Sequence, residues 1–170
     1  MAQKTATEKD MFIQTLERES QITKKLLKAF PANKLDFKPA EKSRNARELA
    51  SIFVTEQGLA DRAVKGTLDL TKSGGSMTKV EGSLDDIIAA FEKGVRETIA
   101  TVSNTSEEDL NKSIKFPVGP GKLGDFRRMD IAWMTLQDQV HHRGQLSVYL
   151  RIVGAKVPSI YGPTADETWM

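Results

Sequence analysis

Apolar side chains recur at helical spacing along four long segments of the sequence. In the first segment, residues 7–29, they recur at intervals close to the 3.6-residue period of a helix, and Pro31 follows the last of them. Similar stripes occupy residues 45–65, 83–103 and 125–153. No alternation of apolar and polar residues extends beyond a few positions, so no β-strand is predicted. The pattern therefore predicts an all-α chain with four helices of roughly 20 to 30 residues each.

Capping signals support the bounds of these helices. Asn45 stands three residues before Glu48, which is the arrangement of a capping box at a helix N-terminus. Ser83 precedes Asp85, and acidic side chains in the first turn interact favourably with the helix dipole. Gly154 follows the fourth segment, and helices commonly end just before a glycine.

The connector between the second and third helices determines the topology. It runs from Gly66 to Gly82 and contains KSGGSM, residues 72–77, which is typical of a loop. Because a connector of this length can cross the whole length of a bundle, the second and third helices are expected to run parallel. We therefore predict a four-helix bundle with a long crossover between helices 2 and 3, in one domain that covers residues 1–170.

Two further segments lie outside the predicted helices. Residues 115–124, KFPVGPGKLG, contain two prolines and three glycines and are expected to form an irregular loop. The C-terminal tail AKVPSIYGPTADETWM has no helical period, but it keeps several large apolar or aromatic side chains: Val157, Ile160, Tyr161 and Trp169. These side chains predict that the tail packs on the bundle.

Composition restricts the classes of function. The 170 residues include 25 basic and 23 acidic side chains, and a net charge of +2 gives no long-range attraction to nucleic acid. The absence of cysteine excludes disulfides, thiolate metal sites and a cysteine nucleophile. No apolar run is long enough to cross a bilayer, and the segment MAQKTATEKD lacks the apolar core of a secretion signal. We therefore expect a cytoplasmic protein with no nucleic-acid or membrane partner.

The only two histidines, His141 and His142, lie side by side in the fourth predicted helix. Residues four apart share a helix face, so Asp138 and His142 form a pair that can chelate one divalent ion. Alternatively, the two side chains belong to a hydrated polar network. We expect Asp138, His142 and Gln145 to face the bundle interior or a cleft. His141 is about 100° further round the helix and is expected to point elsewhere.

Glu56 is a candidate third ligand. It lies on a partly apolar face of the second predicted helix, one turn beyond Ile52. If the second helix packs beside the fourth, Glu56 can supply an oxygen ligand next to Asp138 and His142. If the two helices are not neighbours, Glu56 is an ordinary solvated carboxylate.

Several motifs together resemble the DinB-like family. HHRGQ at residues 141–145 is followed by YLR at 149–151 and by YGPTADE at 161–167, and NARELASIFVTEQ at 45–57 is similar to the second helix of the family. HRGQ alone is not specific, but its combination with the YGPTADE tail is fairly specific. The resemblance implies a four-helix bundle in which three histidines hold a divalent metal ion.

The resemblance places those three histidines near Ile52 (or Ser51), at Asp138 and at His142. Only His142 is a histidine in this sequence. Replacing a ligating imidazole with an alkyl group removes one bond to the metal and leaves an open coordination position. Two outcomes follow. Either Asp138 and His142, completed by Glu56 or water, bind a divalent metal such as Zn²⁺ or Ni²⁺ weakly, or the site has been lost.

The family resemblance leaves two classes of function. The first is a bundle of unassigned activity with a degenerate metal site, acting in ligand binding or in protein interaction, with a small-molecule ligand and a homodimeric partner. The second is a metal-dependent thiol transferase or a related hydrolase-like enzyme, which uses a low-molecular-weight thiol as cosubstrate. The ligand set favours the first class, and no residue is assigned a catalytic role.

Overall fold

Four long helices form the body of the structure, a computed structural model that describes residues 6–69 and 80–169. In chain order the elements are α1 (Glu8–Ala29), α2 (Ala46–Lys65), α3 (Leu84–Asn104), the single turn α4 (Glu107–Leu110), β1 (Ser113–Gly119), β2 (Lys122–Arg127) and α5 (Arg128–Ile152). The long helices begin and end within three residues of their predicted bounds, so the predicted all-α bundle is confirmed. Within the described ranges, no helix combines the length and apolarity that a membrane crossing requires.

The predicted caps are present. Asn45 accepts a hydrogen bond from the backbone N–H of Glu48 at 2.8 Å, and the Glu48 carboxylate accepts one in return from the N–H of Asn45. Ser83 forms the same reciprocal arrangement with Asp86 at the start of α3. These bonds satisfy N–H groups that a helix leaves unpaired at its first turn, which is why the helices begin where they do.

The crossover between α2 and α3 is confirmed by the direction of the two helices. Phe53 packs against Phe91 with ring centroids 6.1 Å apart, and further along both helices Thr101 donates a hydrogen bond to Asp61. Contacts therefore advance together along both helices, which means that α2 and α3 run parallel. The predicted loop at residues 72–77 lies outside the described residues.

The four long helices form a ring in which each has two neighbours: α1 and α2 each pack against both α3 and α5. Their apolar faces meet in one core, to which all four contribute; its most enclosed members include Phe12, Leu16, Leu27, Leu49, Phe53, Ile87, Phe91, Met129 and Leu146. Burial of such side chains, at about 1.5–3 kcal/mol each, provides the main favourable free energy of folding.

The C-terminal tail packs on the bundle as predicted. Asp166 pairs with Arg151 at 2.6 Å and accepts a hydrogen bond from the backbone N–H of Val157, whose side chain is buried. Glu167 forms an ion pair with Lys25 of α1 at 2.6 Å. The acidic residues of the YGPTADE motif therefore tie the tail to itself, to α5 and to α1.

The prediction of an irregular loop at residues 115–124 is wrong, because β1 and β2 form an antiparallel hairpin there. Pro120 and Gly121 make the turn, and Gly121 has a φ of +65°, which glycine adopts without strain. Phe116 packs edge-on against Phe126 at 5.9 Å across the strands. Since β2 continues to Arg127, α5 begins three residues later than the predicted position 125.

A buried ion pair joins α1, α5 and the tail. Arg143 is 1% exposed, and its Nη2 donates to Glu19 Oε2 at 2.7 Å while its Nη1 donates to the Glu19 carbonyl at 3.1 Å. The Tyr161 hydroxyl donates to the same carboxylate at 2.6 Å, and the guanidinium lies 5.0 Å from the Tyr161 ring centroid. Burial raises the pKa of Glu19, but the bonds from Tyr161 and Arg143 outweigh burial and lower it below its ordinary value.

Removing the carboxylate of this ion pair is expected to destabilise the fold strongly. Glu19→Ala leaves the Arg143 charge buried without its anionic partner, and breaking a buried pair in this way costs about 3–5 kcal/mol. Glu17→Ala is the matched control, because Glu17 lies two residues away on the exposed face of α1. Urea unfolding measures both variants, and equal stability of the two would show that the Arg143–Glu19 pair is not important for the fold.

Candidate metal centre

The antiparallel pairing of α2 and α5 brings the candidate ligands together. At one end of the pair, the Tyr149 hydroxyl donates to the Arg44 carbonyl at 3.0 Å, just before α2. At the other end, Arg128 donates to the Val64 carbonyl at 3.3 Å. Between these two contacts, Glu56 of α2 faces α5. The two helices are therefore neighbours, as the role of Glu56 as a third ligand requires.

Glu56, Asp138 and His142 form one cluster. His142 Nδ1 lies 3.0 Å from Glu56 Oε1, 3.5 Å from Asp138 Oδ1 and 3.0 Å from the Asp138 carbonyl. One ligand atom from each side chain lies within 4.8 Å of the other two, which is close enough for all three to contact a single ion. Glu56 and His142 are buried, whereas the Asp138 side chain is 54% exposed.

The protonation of the cluster follows from its hydrogen bonds. Both neighbours of His142 Nδ1 are oxygen acceptors, so this nitrogen carries the proton and donates it. Burial raises the pKa of Glu56 to about 7, and the hydrogen bond with Glu56 raises the pKa of His142. Because a metal ion requires a charged carboxylate and an unprotonated nitrogen, binding to these atoms would release protons.

The donor set fits a divalent metal ion. Glu56 Oε2 is buried and has no hydrogen-bond partner among the described residues, although buried carboxylate oxygens are nearly always paired. A cation contacting this oxygen would remove the cost of leaving it unpaired. Two carboxylate oxygens and one imidazole nitrogen are ligands that Zn²⁺ and similar divalent ions accept in proteins. Ile52, one turn before Glu56, is buried and offers no ligand atom.

The cluster opens into a cleft of about 440 Å³. Helices α2 and α5 and strand β1 provide its walls, and the lining residues are Glu56, Leu59, Phe116, Met134, Thr135, Gln137, Asp138 and His141. Two of the candidate ligands therefore face space that a small molecule can enter. Phe116 belongs to the hairpin that the sequence pattern did not predict.

His142 is buried and His141 is exposed, as the step of 100° per residue predicts. His141 nevertheless lines the same cleft as Asp138, so the prediction that it points away from this region is wrong. Its ring lies edge-on to that of His142, with centroids 5.2 Å apart. Gln145 is exposed, and its amide lies 2.8 Å from His141 Nε2. Of the three residues predicted to face the interior or a cleft, His142 is therefore in the interior, Asp138 lines the cleft and Gln145 is exposed beside it.

A buried chain of amides beside the cluster was missed by the sequence analysis. Gln57 donates to Gln139 at 2.8 Å, and Gln139 donates to Thr23 at 3.1 Å, so the chain connects α2, α5 and α1. The signal was present, because Gln139 lies three residues after Leu136 and seven before Leu146 and therefore on the apolar face of α5. These bonds fix the height of α2 against α5, and with it the position of Glu56 opposite His142.

The titration of Glu56 is expected to make the stability of the metal-free protein depend on pH. The folded-state pKa of about 7 lies above the ordinary 4.5, so the folded chain binds more protons than the unfolded chain between these values, and stability falls as the pH rises through this window. The raised pKa of His142 acts in the same direction. Glu56→Gln removes the ionisable group. Its free energy of unfolding should exceed that of the parent by about 1–3 kcal/mol at pH 8 and differ little from it at pH 4.5.

Urea unfolding at several pH values in the presence of a chelator measures this effect. Glu41→Gln is the control, since Glu41 is exposed. If both Glu56→Gln and Glu41→Gln have the same free energy of unfolding as the parent at pH 8, burying the charged Glu56 has no free-energy cost.

Comparison with known proteins agrees with this fold. The DinB family profile matches residues 1–169. The uncharacterized protein YjoA of Bacillus subtilis is 24% identical over 133 residues, which is 78% of this chain and 82% of YjoA. The uncharacterized protein YrdA of the same organism is 53% identical, but only over 32 residues, 19% of each chain.

Two solved structures show the same fold. The crystal structure of YjoA, described as DinB-like, superposes with a TM-score of 0.68 at 20% identity and covers 88% of this chain and 97% of its own. A DinB-like protein from Bacillus cereus has a TM-score of 0.69, also at 20% identity, with 88% and 95% coverage. The family profile spans almost the whole sequence, and the chain belongs to the DinB family.

Proposed function

We propose that Glu56, Asp138 and His142 bind one divalent metal ion and that the adjoining cleft binds a small molecule carrying a donor atom for that ion. The unpartnered, buried Oε2 of Glu56 is the observation that carries this proposal. Its carboxylate lies 3.0 Å from His142 and faces the cleft, so a cation and a ligand have access to the same place.

The chain itself contributes orientation and selectivity. His142 and Glu56 hold each other in position, and the exposed Asp138 can move to complete the ligand set. Around them, the apolar side chains of Leu59 and Phe116 offer contact area to a ligand. When bound, the ion supplies Lewis-acid chemistry to a donor atom of that ligand.

Affinity for the ion is expected to be weaker than at a site with three histidines. Ile52 fills the position one turn before Glu56, where the family resemblance expects an imidazole, and it adds no ligand. Asp138 also offers an oxygen where the family resemblance expects an imidazole nitrogen, the type of ligand that Zn²⁺ and Ni²⁺ favour. The weak expected metal affinity supports ligand binding rather than catalysis as the function of the bundle. The predicted cytoplasmic location and homodimer stay predictions.

His141 is the observation that favours the catalytic alternative, a metal-dependent thiol transferase or related hydrolase-like enzyme. Its imidazole is exposed, lines the cleft and lies beside His142. Imidazole is the most frequent general base in enzymes, so His141 is suited to take a proton from a thiol or a water molecule held in the cleft. Gln145, 2.8 Å away, holds the ring in position.

Metal titration by calorimetry, on untagged protein, tests the proposed site. The parent should bind one equivalent of Zn²⁺ or Ni²⁺, and His142→Ala should abolish binding because it removes the only nitrogen ligand. Even residues that merely support a ligand typically change affinity by about 10–100-fold, so Glu56→Gln and Asp138→Asn should each lose at least that much. His141→Ala is the matched control and should bind like the parent. Binding that survives His142→Ala would place the metal elsewhere.

Adding the missing imidazole is expected to strengthen metal binding. Of the two candidate positions, Ile52 and Ser51, only Ile52 is expected to give this gain. Ile52 lies four residues before Glu56 and shares its face of α2, whereas Ser51 lies a further 100° round the helix. Ile52→His should therefore gain at least about 10-fold in Zn²⁺ affinity, while Ser51→His should not. The gain should disappear in the Ile52→His/His142→Ala double variant. If Ile52→His gains nothing, the cluster does not have the geometry of a metal site.

A further inference from the structure

A second cavity, of about 700 Å³, lies beside the candidate metal centre. The connector before α2 provides one wall and α5 the other, with Pro39, Lys42, Ser43, Arg44, Gln145, Val148 and Tyr149 as lining residues. The connector is held against α5, because Tyr149 donates to the Arg44 carbonyl at 3.0 Å and packs edge-on against Phe37 at 5.8 Å. The walls of this cavity are therefore fixed by specific contacts.

The two cavities adjoin along α5. Gln145 lines the second cavity, and its amide lies 2.8 Å from Nε2 of His141, which lines the first. His141 and Gln145 are one helical turn apart, so they stand at the boundary between the cavities. At 1.5 Å per residue, the distance along the helix from His142 to Tyr149 is roughly 10 Å, and from Asp138 it is roughly 16 Å.

The two cavities carry opposite charge. Glu56 and Asp138 line the first cavity, whereas Lys42 and Arg44 line the second, where no carboxylate is found among the described lining residues. A divalent metal ion would neutralise the two carboxylates of the first cavity and leave the charge of the second unchanged. An elongated ligand thus meets a cation-binding cluster at one end and two exposed cationic side chains at the other.

We propose that the two cavities form one groove for an elongated small molecule that has a metal donor atom at one end and an anionic group, a carboxylate or a phosphate, at the other. The inference rests on the proposed function for the metal end only. The anionic end depends on Lys42 and Arg44, which lie outside the cluster. Gln145 and His141 offer polar contacts to the middle of the ligand.

Two matched probes test the groove. Suberic acid monohydroxamate has a hydroxamate, which chelates divalent metals, at one end and a carboxylate at the other; octanohydroxamic acid has a methyl group in place of that carboxylate. Calorimetry on the metal-loaded protein at low salt should show the carboxylate probe binding about two- to thirtyfold more tightly than the methyl probe, which is the range that two exposed charge pairs provide. Added salt should reduce this advantage.

Two double variants test whether the preference for the carboxylate probe comes from the groove or from the overall charge of the protein. Lys42→Gln/Arg44→Gln should remove the advantage of the carboxylate probe, while Lys34→Gln/Lys38→Gln, which removes the same charge from exposed positions outside the groove, should keep it. Equal affinity of both probes for the parent, or an advantage that survives in Lys42→Gln/Arg44→Gln, would overturn the proposal.

A metal-free arm keeps the two proposals distinguishable. In the presence of a chelator, octanoate should shift the backbone amide NMR signals of Lys42 and Arg44, octanol should not, and the double variant at these positions should lose the response. If the parent binds no metal but octanoate produces these shifts, the proposed metal function fails and the anionic end of the groove stands. If octanoate produces no shift at these amides, the inference fails whatever the metal titration shows.

Discussion

The burial of one positive charge determines how the site is built. Arg143 is enclosed almost completely, so its guanidinium must face the Glu19 carboxylate on α1. That requirement fixes the rotation of α5 about its axis. His142 precedes Arg143 by one step of 100° and consequently faces α2 and Glu56, and His141, one further step away, reaches the wall of the cleft. The orientation of both histidines thus follows from an ion pair that neither of them joins.

The helices of this protein are predictable from local information. The 3.6-residue period and the capping boxes at Asn45 and Ser83 place them within a few residues, because both signals depend on neighbours in the sequence. The hairpin was missed for the opposite reason. Its prolines and glycines indicate a break in helix. Only the pairing of Phe116 with Gly124, together with the contact between the Phe116 and Phe126 rings, makes the segment a pair of strands.

The candidate cluster was predictable in part. Asp138 and His142 follow from their spacing on one helix, but Glu56 joins them only because α2 and α5 are neighbours, which a single sequence does not determine. The Arg143–Glu19 pair spans 124 positions and leaves no local signal. The position of His141 required knowledge of where the cleft opens, and the hairpin that forms part of that cleft was itself not predicted.

The hairpin contributes Phe116 to the cleft while lying outside the ring of helices that holds the core together. The turn at Pro120 and Gly121 is exposed. Changes at this exposed turn can therefore reshape the mouth of the cleft at little cost to folding, provided that Arg127 at the end of β2 keeps its ion pairs with Glu8 of α1 and with Asp130. The shape of the cleft and the stability of the bundle thus depend largely on different parts of this chain, and replacing the outer part of a short ribbon would alter the proposed ligand site while leaving the helical core in place.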